Sequence, residues 1–418
     1  MSDFSSAFTP ANLKKLFSLP VIVAALGYFV DIYDLLLFGI VRVPSLKSLG
    51  LNEQQVSSVG VAILNWQMGG LLVGGILWGV LGDKKGRLSV LFGSIITYSV
   101  ANIACGFIQD TAFLPATELY KYLRFVAGVG LAGELGAGIT LVSEILPKHL
   151  RGYGSSIVAS VGLFAPVVVF FTVKQFDWRT TYFIGGGLGL LLLLLRVSVF
   201  ESGMYEKAKT ETVNRGNFFA FFTNRARFLK YIRCMGISVP TYLCIGLLAT
   251  FGNEFGQAMG ISGIVPGQCV MYLYLGTVLG DIFSAFLSQA LRSRRQAIGI
   301  MMFMTLLSCG YYLFGGITSA NVFYATIGIM GFSIGFIAMF LTVSAEHFGT
   351  NLRATATTSI ANNVRATTLL TIPAFQMLKP VYGVINAGAM VAVVCFLVGF
   401  ISVITMEETF GKDLDYTE

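Results

Sequence analysis

Two aspartates, Asp31 and Asp34, stand three residues apart in LGYFVDIYDLLLFGI (26–40), a run otherwise apolar or aromatic. On a helix that spacing places them as neighbours on one face, with Tyr28 and Phe38 close by. A carboxylate at the centre of a lipid-crossing helix costs about 2.5–3.5 kcal/mol on insertion scales, so a pair of them needs a task. Like charges this close in a low dielectric cannot both ionise cheaply, and one is expected to hold a proton and release it when its surroundings change. Arg124, in the apolar run 114–145, sits at a depth that lets it answer their charge, and such pairing lowers the cost of burial. Glu134 lies about 15 Å farther along the same run at 1.5 Å per residue and is a third acid on a proton path. Later in the chain, Arg365 is embedded in SIANNVRATTLL (359–370) beside Asn362 and Asn363, and Asp281 in the run 266–291. A guanidinium fork suits a carboxylate or a phosphate. Arg365 therefore either meets an anionic ligand or forms a structural pair with Asp281. Asn362 is one helical turn from Arg365, and Asn65 and Gln67 are polar residues at comparable depth. With Tyr28 and Arg365 they make the candidate ligand-binding set, each amide being equally suited to an interhelical hydrogen bond.

The elements that position these residues are long apolar runs. The chain of 418 residues is 55% hydrophobic and 12% charged, about half the charge of a soluble protein of this length. About twelve runs of roughly 20–25 residues, each long enough to cross a hydrocarbon core, lie near 19–42, 58–82, 88–108, 114–145, 153–173, 179–200, 231–253, 266–291, 296–316, 320–345, 355–378 and 382–405. The pattern predicts an all-α membrane protein with twelve transmembrane helices. A barrel would instead show short alternating segments. The first run is too long for a signal-peptide core and is expected to remain as the first span. With the N-terminus inside, about 20 Lys and Arg fall in inner loops and about 6 in outer loops, which predicts that both termini are cytoplasmic. This placement accounts for the net charge of +7 without nucleic acid, the partner being the lipid bilayer. The six cysteines all lie in apolar runs without paired spacing, so neither disulfides nor a metal site is expected, and no cofactor is implied. The absence of an Asn-x-Ser/Thr sequon is compatible with a bacterial cytoplasmic (inner) membrane location.

The longest polar stretch, from Glu201 to about Lys230, divides the chain into an N-terminal six-helix bundle (1–200), a cytoplasmic linker (201–230) and a C-terminal six-helix bundle (231–418). An internal repeat supports the division. SEILPKHLRG (143–152) ends the fourth run and AEHFGTNLRA (345–354) ends the tenth, and Glu144 and Arg151 map onto Glu346 and Arg353 with a common offset of 202 (346 − 144 and 353 − 151). Duplicated halves of this kind hold a substrate between them near the midplane. The spacings Gly70-x3-Gly74, Gly75-x3-Gly79 and Gly276-x3-Gly280 predict close helix contacts. Pro166, Pro240 and Pro373 fall inside the fifth, seventh and eleventh runs and should kink or loosen them.

GVLGDKKGRL (79–88), between the second and third runs, resembles the signature loop of the major facilitator superfamily, through Gly79, Asp83, Lys84, Gly86 and Arg87. The second-half counterpart, LGDIFSAFLSQALRSRRQAI (279–298), keeps only the basic end. RFVAGVG (124–130) resembles the superfamily's Arg-x3-Gly-x-Gly element, whose arginine is tied to proton coupling. The run Gly27 to Leu35 resembles the first span of the metabolite–proton symporter branch, with the acid, Tyr and Asp positions kept and Asn and Trp lost. The resemblance implies two pseudo-symmetric six-helix bundles and alternating access. It assigns inner-gate roles to Asp83, Arg87, Glu144 and Arg151, and by the repeat to Glu346 and Arg353. The function it implies is proton-coupled symport of a small anionic or zwitterionic metabolite by a monomer, with Asp31, Asp34, Arg124 and Glu134 on the proton side. A proton-coupled multidrug or metabolite antiporter of the same fold is the alternative. GFSIG (331–335) matches a nucleophile-elbow pattern, but that motif needs a strand–turn–helix setting. The two histidines, His149 and His347, make no triad or metal constellation with it, so enzymatic activity is not expected.

Overall fold

A computed structural model of the protein describes residues 9–85, 87–110, 113–133, 142, 146–147, 150–201, 218–349 and 352–412. Among these residues all regular structure is helical. The main helices are α1 (Leu19–Ser48), α2 (Glu53–Lys85), α3 (Arg87–Gly106), α4 (Ala116–Leu131), α5 (Arg151–Leu163), α6 (Ala165–Gln175), α7 (Trp178–Glu201), α8 (Arg225–Ile237), α9 (Val239–Leu243), α10 (Pro266–Leu291), α11 (Arg294–Phe314), α12 (Ala320–Ser333), α13 (Ile337–Glu346), α14 (Arg353–Arg365) and α15 (Thr368–Thr405). Among the described residues eight helical stretches are long and apolar enough to cross a membrane, or nine when α8 and the segment Val239–Ala249, bent by 40°, are taken as one.

Several apolar runs are broken rather than straight, and the breaks follow the sequence. Pro166 and Pro240 stand at the starts of α6 and α9, where a missing N–H costs nothing. A π-helical stretch, Cys244–Ala249, follows α9. Pro373 lies inside α15, and the break of that run precedes it at Ala366–Thr367. Farther along α15, Gly383 takes φ 77° and ψ 168°, a conformation that glycine adopts without penalty, and the chain turns there between two apolar runs.

The internal repeat extends to the breaks. α5 and α14 are both 13 residues long and begin at Arg151 and Arg353, the same offset of 202 as in the sequence. α4 ends at Leu131 and α12 at Ser333, again 202 apart. Arg365 thus occupies the place that Leu163 holds in the first half. Helices up to α7 pack mainly on one another, as do those from α8 onward. The two sets meet where α14 lies on α2, α10 on α5 and α6, and α1 on α10.

Candidate functional site

Close contact of α2 and α4 builds the first charged centre. A side chain at Gly70 or Gly74 would collide with the α4 backbone at Phe125 or Val129, and one at Gly128 with the Gln67 carbonyl. The second half repeats the device: Gly276 and Gly280 of α10 lie against the α12 backbone at Gly328 and Phe332. Small residues let backbones approach in lipid, where helix association relies on packing. The approach brings Arg124 of α4 within reach of α1, α2 and α3. Its Nη1 donates to Asn102 Oδ1 (2.8 Å), its Nη2 to the backbone carbonyl of Asp34 (2.9 Å) and its Nε to Gln67 Oε1 (3.3 Å). Gln67 Nε2 in turn donates to the Leu35 carbonyl (2.8 Å). Arg124 also lies over the Tyr182 ring, 5.6 Å from its centroid. The Asp34 carboxylate is buried and interacts electrostatically with Arg124, with the Asn102 side chain beside it. It faces α7, where a Cβ at Gly185 would come within 2.5 Å of Asp34 Oδ1.

The second centre bridges the halves. Arg365 Nη2 lies 3.6 Å from Asp31 Oδ2, with both side chains buried. Tyr28, Tyr242 and Tyr274 surround the pair closely enough to interact with it electrostatically. Gly162 of α5 cradles the Tyr28 ring, since any Cβ there would run into it. Tyr242 also faces the Arg365 guanidinium within hydrogen-bonding reach, and among the described residues Arg365 Nε and Nη1 have no hydrogen-bond partner. Both acids of α1 were expected to share Arg124. The structure instead turns Asp34 into the first half towards Arg124 and Asp31 outward to an arginine of the second half. The alternative partner for Arg365, Asp281, is held elsewhere: Asp281 Oδ1 accepts from the Ala338 amide (3.2 Å) at the start of α13, capping the break between α12 and α13.

The halves are also joined on either side of this centre. Asn362 Nδ2 donates to the Ala132 carbonyl (2.9 Å), where α4 ends. Towards the end that carries Ser48 and Glu53, the buried Arg42 donates through Nη2 to the Thr250 carbonyl (3.2 Å) and to Asn253 Oδ1 (3.5 Å), with its guanidinium 4.1 Å above the Phe251 ring. Beside it Glu254 accepts from Ser57 (2.9 Å) and pairs with Lys379 (2.9 Å). At the opposite end, Glu346 faces Arg294 (3.5 Å) and accepts from Thr409 Oγ1 (2.6 Å). Glu408 in the C-terminal segment accepts from Ser293 Oγ and from the amides of Arg294 (2.9 Å) and Arg295 (3.3 Å), at the start of α11. Partial burial opposes ionisation of Glu408, but these hydrogen bonds and one from the Phe410 amide outweigh it and hold its carboxyl below the usual range.

The structure therefore brings Asp31, Arg365 and Tyr28 together, and separately Asp34, Arg124 and Gln67. It places Asn362 between the halves one turn from Arg365. Asn65 lies on α2, half-buried, and its Oδ1 has no partner among the described residues. Glu134 and Glu144 lie outside the described residues, as do the side chains of Asp83, Arg87, Arg151 and Arg353. Sequence reasoning missed Arg42, Asn102, Tyr242, Tyr274, Glu254 and Glu408. Arg42 carried a signal, a lone cation at the end of the first apolar run. Among the described residues no group of three or more His, Cys, Asp or Glu is placed to hold a metal ion.

Residues 24–368 match the family model of the Major Facilitator Superfamily. The chain is 24% identical over 409 residues to a putative metabolite transport protein of Haemophilus influenzae, covering 94% of this chain and 96% of that one. It is 24% identical over 363 residues to the sialic acid transporter NanX of Escherichia coli, covering 84% of each. A solved structure of the proton:xylose symporter XylE superposes with a TM-score of 0.72 at 15% identity, over 97% of this chain and 98% of that one. These are transporters rather than enzymes, and the apolar helices are those of an integral membrane protein. On the extent of the family match and the shared fold, this chain belongs to the Major Facilitator Superfamily of membrane transporters.

Proposed function

We propose that the protein is a proton-coupled symporter of a small anionic or zwitterionic metabolite, working by alternating access between its two halves. The single observation that carries this reading is the buried Asp31–Arg365 pair between the halves. An intramembrane arginine is expensive and marks a site, and its fork suits a carboxylate. When an anionic cargo docks on Arg365, Asp31 and the cargo present two negative charges to one guanidinium. Protonating Asp31 removes the excess, so the anion and the proton are taken up together. Asp34, whose carboxylate is buried beside Arg124, is a second carrier. Tyr28, Tyr242 and Tyr274 suit the body of the cargo. Similarity to a transporter of sialic acid accords with an acidic cargo, and the arginines at both centres favour an anion over a lipophilic cation.

Twelve crossings with both termini cytoplasmic is the topology we adopt. The stretch Thr355–Thr405 has 51 residues, more than twice the roughly 20 that one crossing needs, and it turns at Gly383. α3 and α4 each supply a further crossing of shorter described length. The halves 1–200 and 231–418 joined by the linker 201–230, a bacterial inner-membrane location and a monomeric working unit complete the reading. In proteoliposomes, an inside-alkaline gradient should drive accumulation of a carboxylate substrate found by thermal-shift screening. Accumulation indifferent to the gradient would refute proton coupling.

A further inference from the structure

Asp31 and Arg42 are eleven residues apart on α1 (42 − 31), which is about three helical turns. Arg42 therefore stands on the face of α1 that carries Asp31 to Arg365, about 16 Å farther along the helix. Its side chain is buried, and α2 fixes its stem: a Cβ at Gly60 would come within 2.7 Å of Arg42 Cδ. Nη2 donates to the Thr250 carbonyl and to Asn253 Oδ1 of the second half, both uncharged acceptors. Among the described residues Nε and Nη1 have no hydrogen-bond partner. The acid that interacts with Arg42 electrostatically, Glu254, has its oxygens engaged elsewhere, Oε1 by Ser57 (2.9 Å) and Oε2 by Lys379 (2.9 Å). Two cations thus face one carboxylate between aromatic walls, with Arg42 over Phe251 and Lys379 Nζ 5.7 Å from the centre of the Phe375 ring. A charge taken out of water is normally held by a counter-ion in contact. For Arg42 the contact position is filled by two neutral oxygens of the opposite half.

We propose that this cluster is a second anion site: when the halves part at the end near Ser48, Arg42 takes the carboxylate of a small organic anion in place of the Thr250 and Asn253 oxygens. Closure and the anion compete for one guanidinium, because both need Nη2. A carboxylate offers two oxygens in one plane, which the guanidinium fork matches, and it adds the opposite charge that the carbonyl and the amide lack. Thr250 and Asn253 belong to the segment that begins with Tyr242 and the π-helical stretch Cys244–Ala249, so the element that Arg42 releases at this end also reaches Arg365. In the topology adopted above this is the outer end, and the site would receive the cargo before Arg365 does. An anion that moves on to Arg365 returns Arg42 to Thr250 and Asn253 and closes the end behind it. That order of events rests on the proposed symport; the anion site itself rests on Arg42 and its neighbours.

The test uses the full chain in detergent, with spin labels at the exposed Gln55 and Gln257 and sodium acetate as the probe anion. Acetate should raise the long-distance population severalfold and saturate with concentration. Asp31→Asn with Arg365→Gln, which lacks the central pair, should respond as the wild type does. Arg42→Gln should show the long-distance population without acetate and no further change with it, whereas Arg42→Lys keeps the charge and should keep a weaker response. No response in the wild type overturns the site, as does a response that persists in Arg42→Gln. A response lost in Asp31→Asn with Arg365→Gln would belong to the central pair and overturn the assignment to Arg42. Sodium chloride at the same ionic strength should have little effect, and an equal effect would show screening of charge rather than a carboxylate site. No proton gradient enters these measurements, so they stand or fall apart from the proposed symport.

Discussion

Arg365 and Asp31, from opposite ends of the chain, form a buried ion pair at 3.6 Å where the two halves meet. Removing one partner strands the other charge in low dielectric, which costs about 3–5 kcal/mol, whereas removing both is far milder. Asp31→Asn and Arg365→Gln should each lower the melting temperature of the purified protein. The double variant should melt above either. Additive losses would show that the pair is not coupled.

Asp34 and Arg124 should respond differently. Arg124 donates to the backbone carbonyl of Asp34 and meets the Asp34 carboxylate through charge. Asp34→Asn removes the acid that faces Arg124 but leaves the Arg124 hydrogen bonds in place, so the melting temperature should fall by less than in Arg124→Gln. Arg124→Gln strands Asn102, Gln67 and the Asp34 carbonyl, each at about 1–3 kcal/mol, and should fall by several kcal/mol. Denaturant-free thermal melts of both variants check the contrast.

Arg42 holds the halves together at the end near Ser48 through the Thr250 carbonyl and Asn253. A hydrogen bond from a charged group is worth about 1.5–3 kcal/mol, enough to move an open–closed equilibrium more than tenfold. Spin labels on the exposed Gln55 and Gln257 should report a larger long-distance population in Arg42→Gln. An unchanged distance distribution would remove Arg42 from the closure.

Glu408 gives the prediction for pH. Its carboxyl is held below the usual range in the folded protein, so it contributes stability above the unfolded value, about pH 4.3, and loses it as pH falls through the lower folded value. Glu408→Gln should lower the melting temperature at neutral pH and leave it unchanged at the acid limit. A shift of equal size at every pH would assign the loss to packing rather than charge.

The charged residues of the candidate site were legible because a charge in an apolar run is conspicuous, as at Asp31, Asp34, Arg124 and Arg365. Their partners were not. Asp31 and Asp34 are one helical turn apart, and a small difference in direction around α1 sends one to Arg365 and the other towards Arg124. Local spacing carries no record of which helix stands opposite. Tyr242 and Tyr274 were hidden among many aromatic residues, and Glu408 lies in a polar tail beyond the last apolar run. The repeat at Glu144 and Glu346 was visible, and its offset reappears in α5 and α14. The ends of α4 at Leu131 and of α12 at Ser333 were not visible, because both fall inside continuous apolar runs.

The measurement that tests the central claim most directly is the pH dependence of carboxylate binding by calorimetry, in the wild type and in Asp31→Asn. If Arg365 is shared between Asp31 and the cargo, wild-type affinity weakens as pH rises and each bound anion carries a proton in. Asp31→Asn then binds at least as tightly, with no proton uptake and little pH dependence. Identical pH profiles and proton uptake in the two proteins would contradict the account.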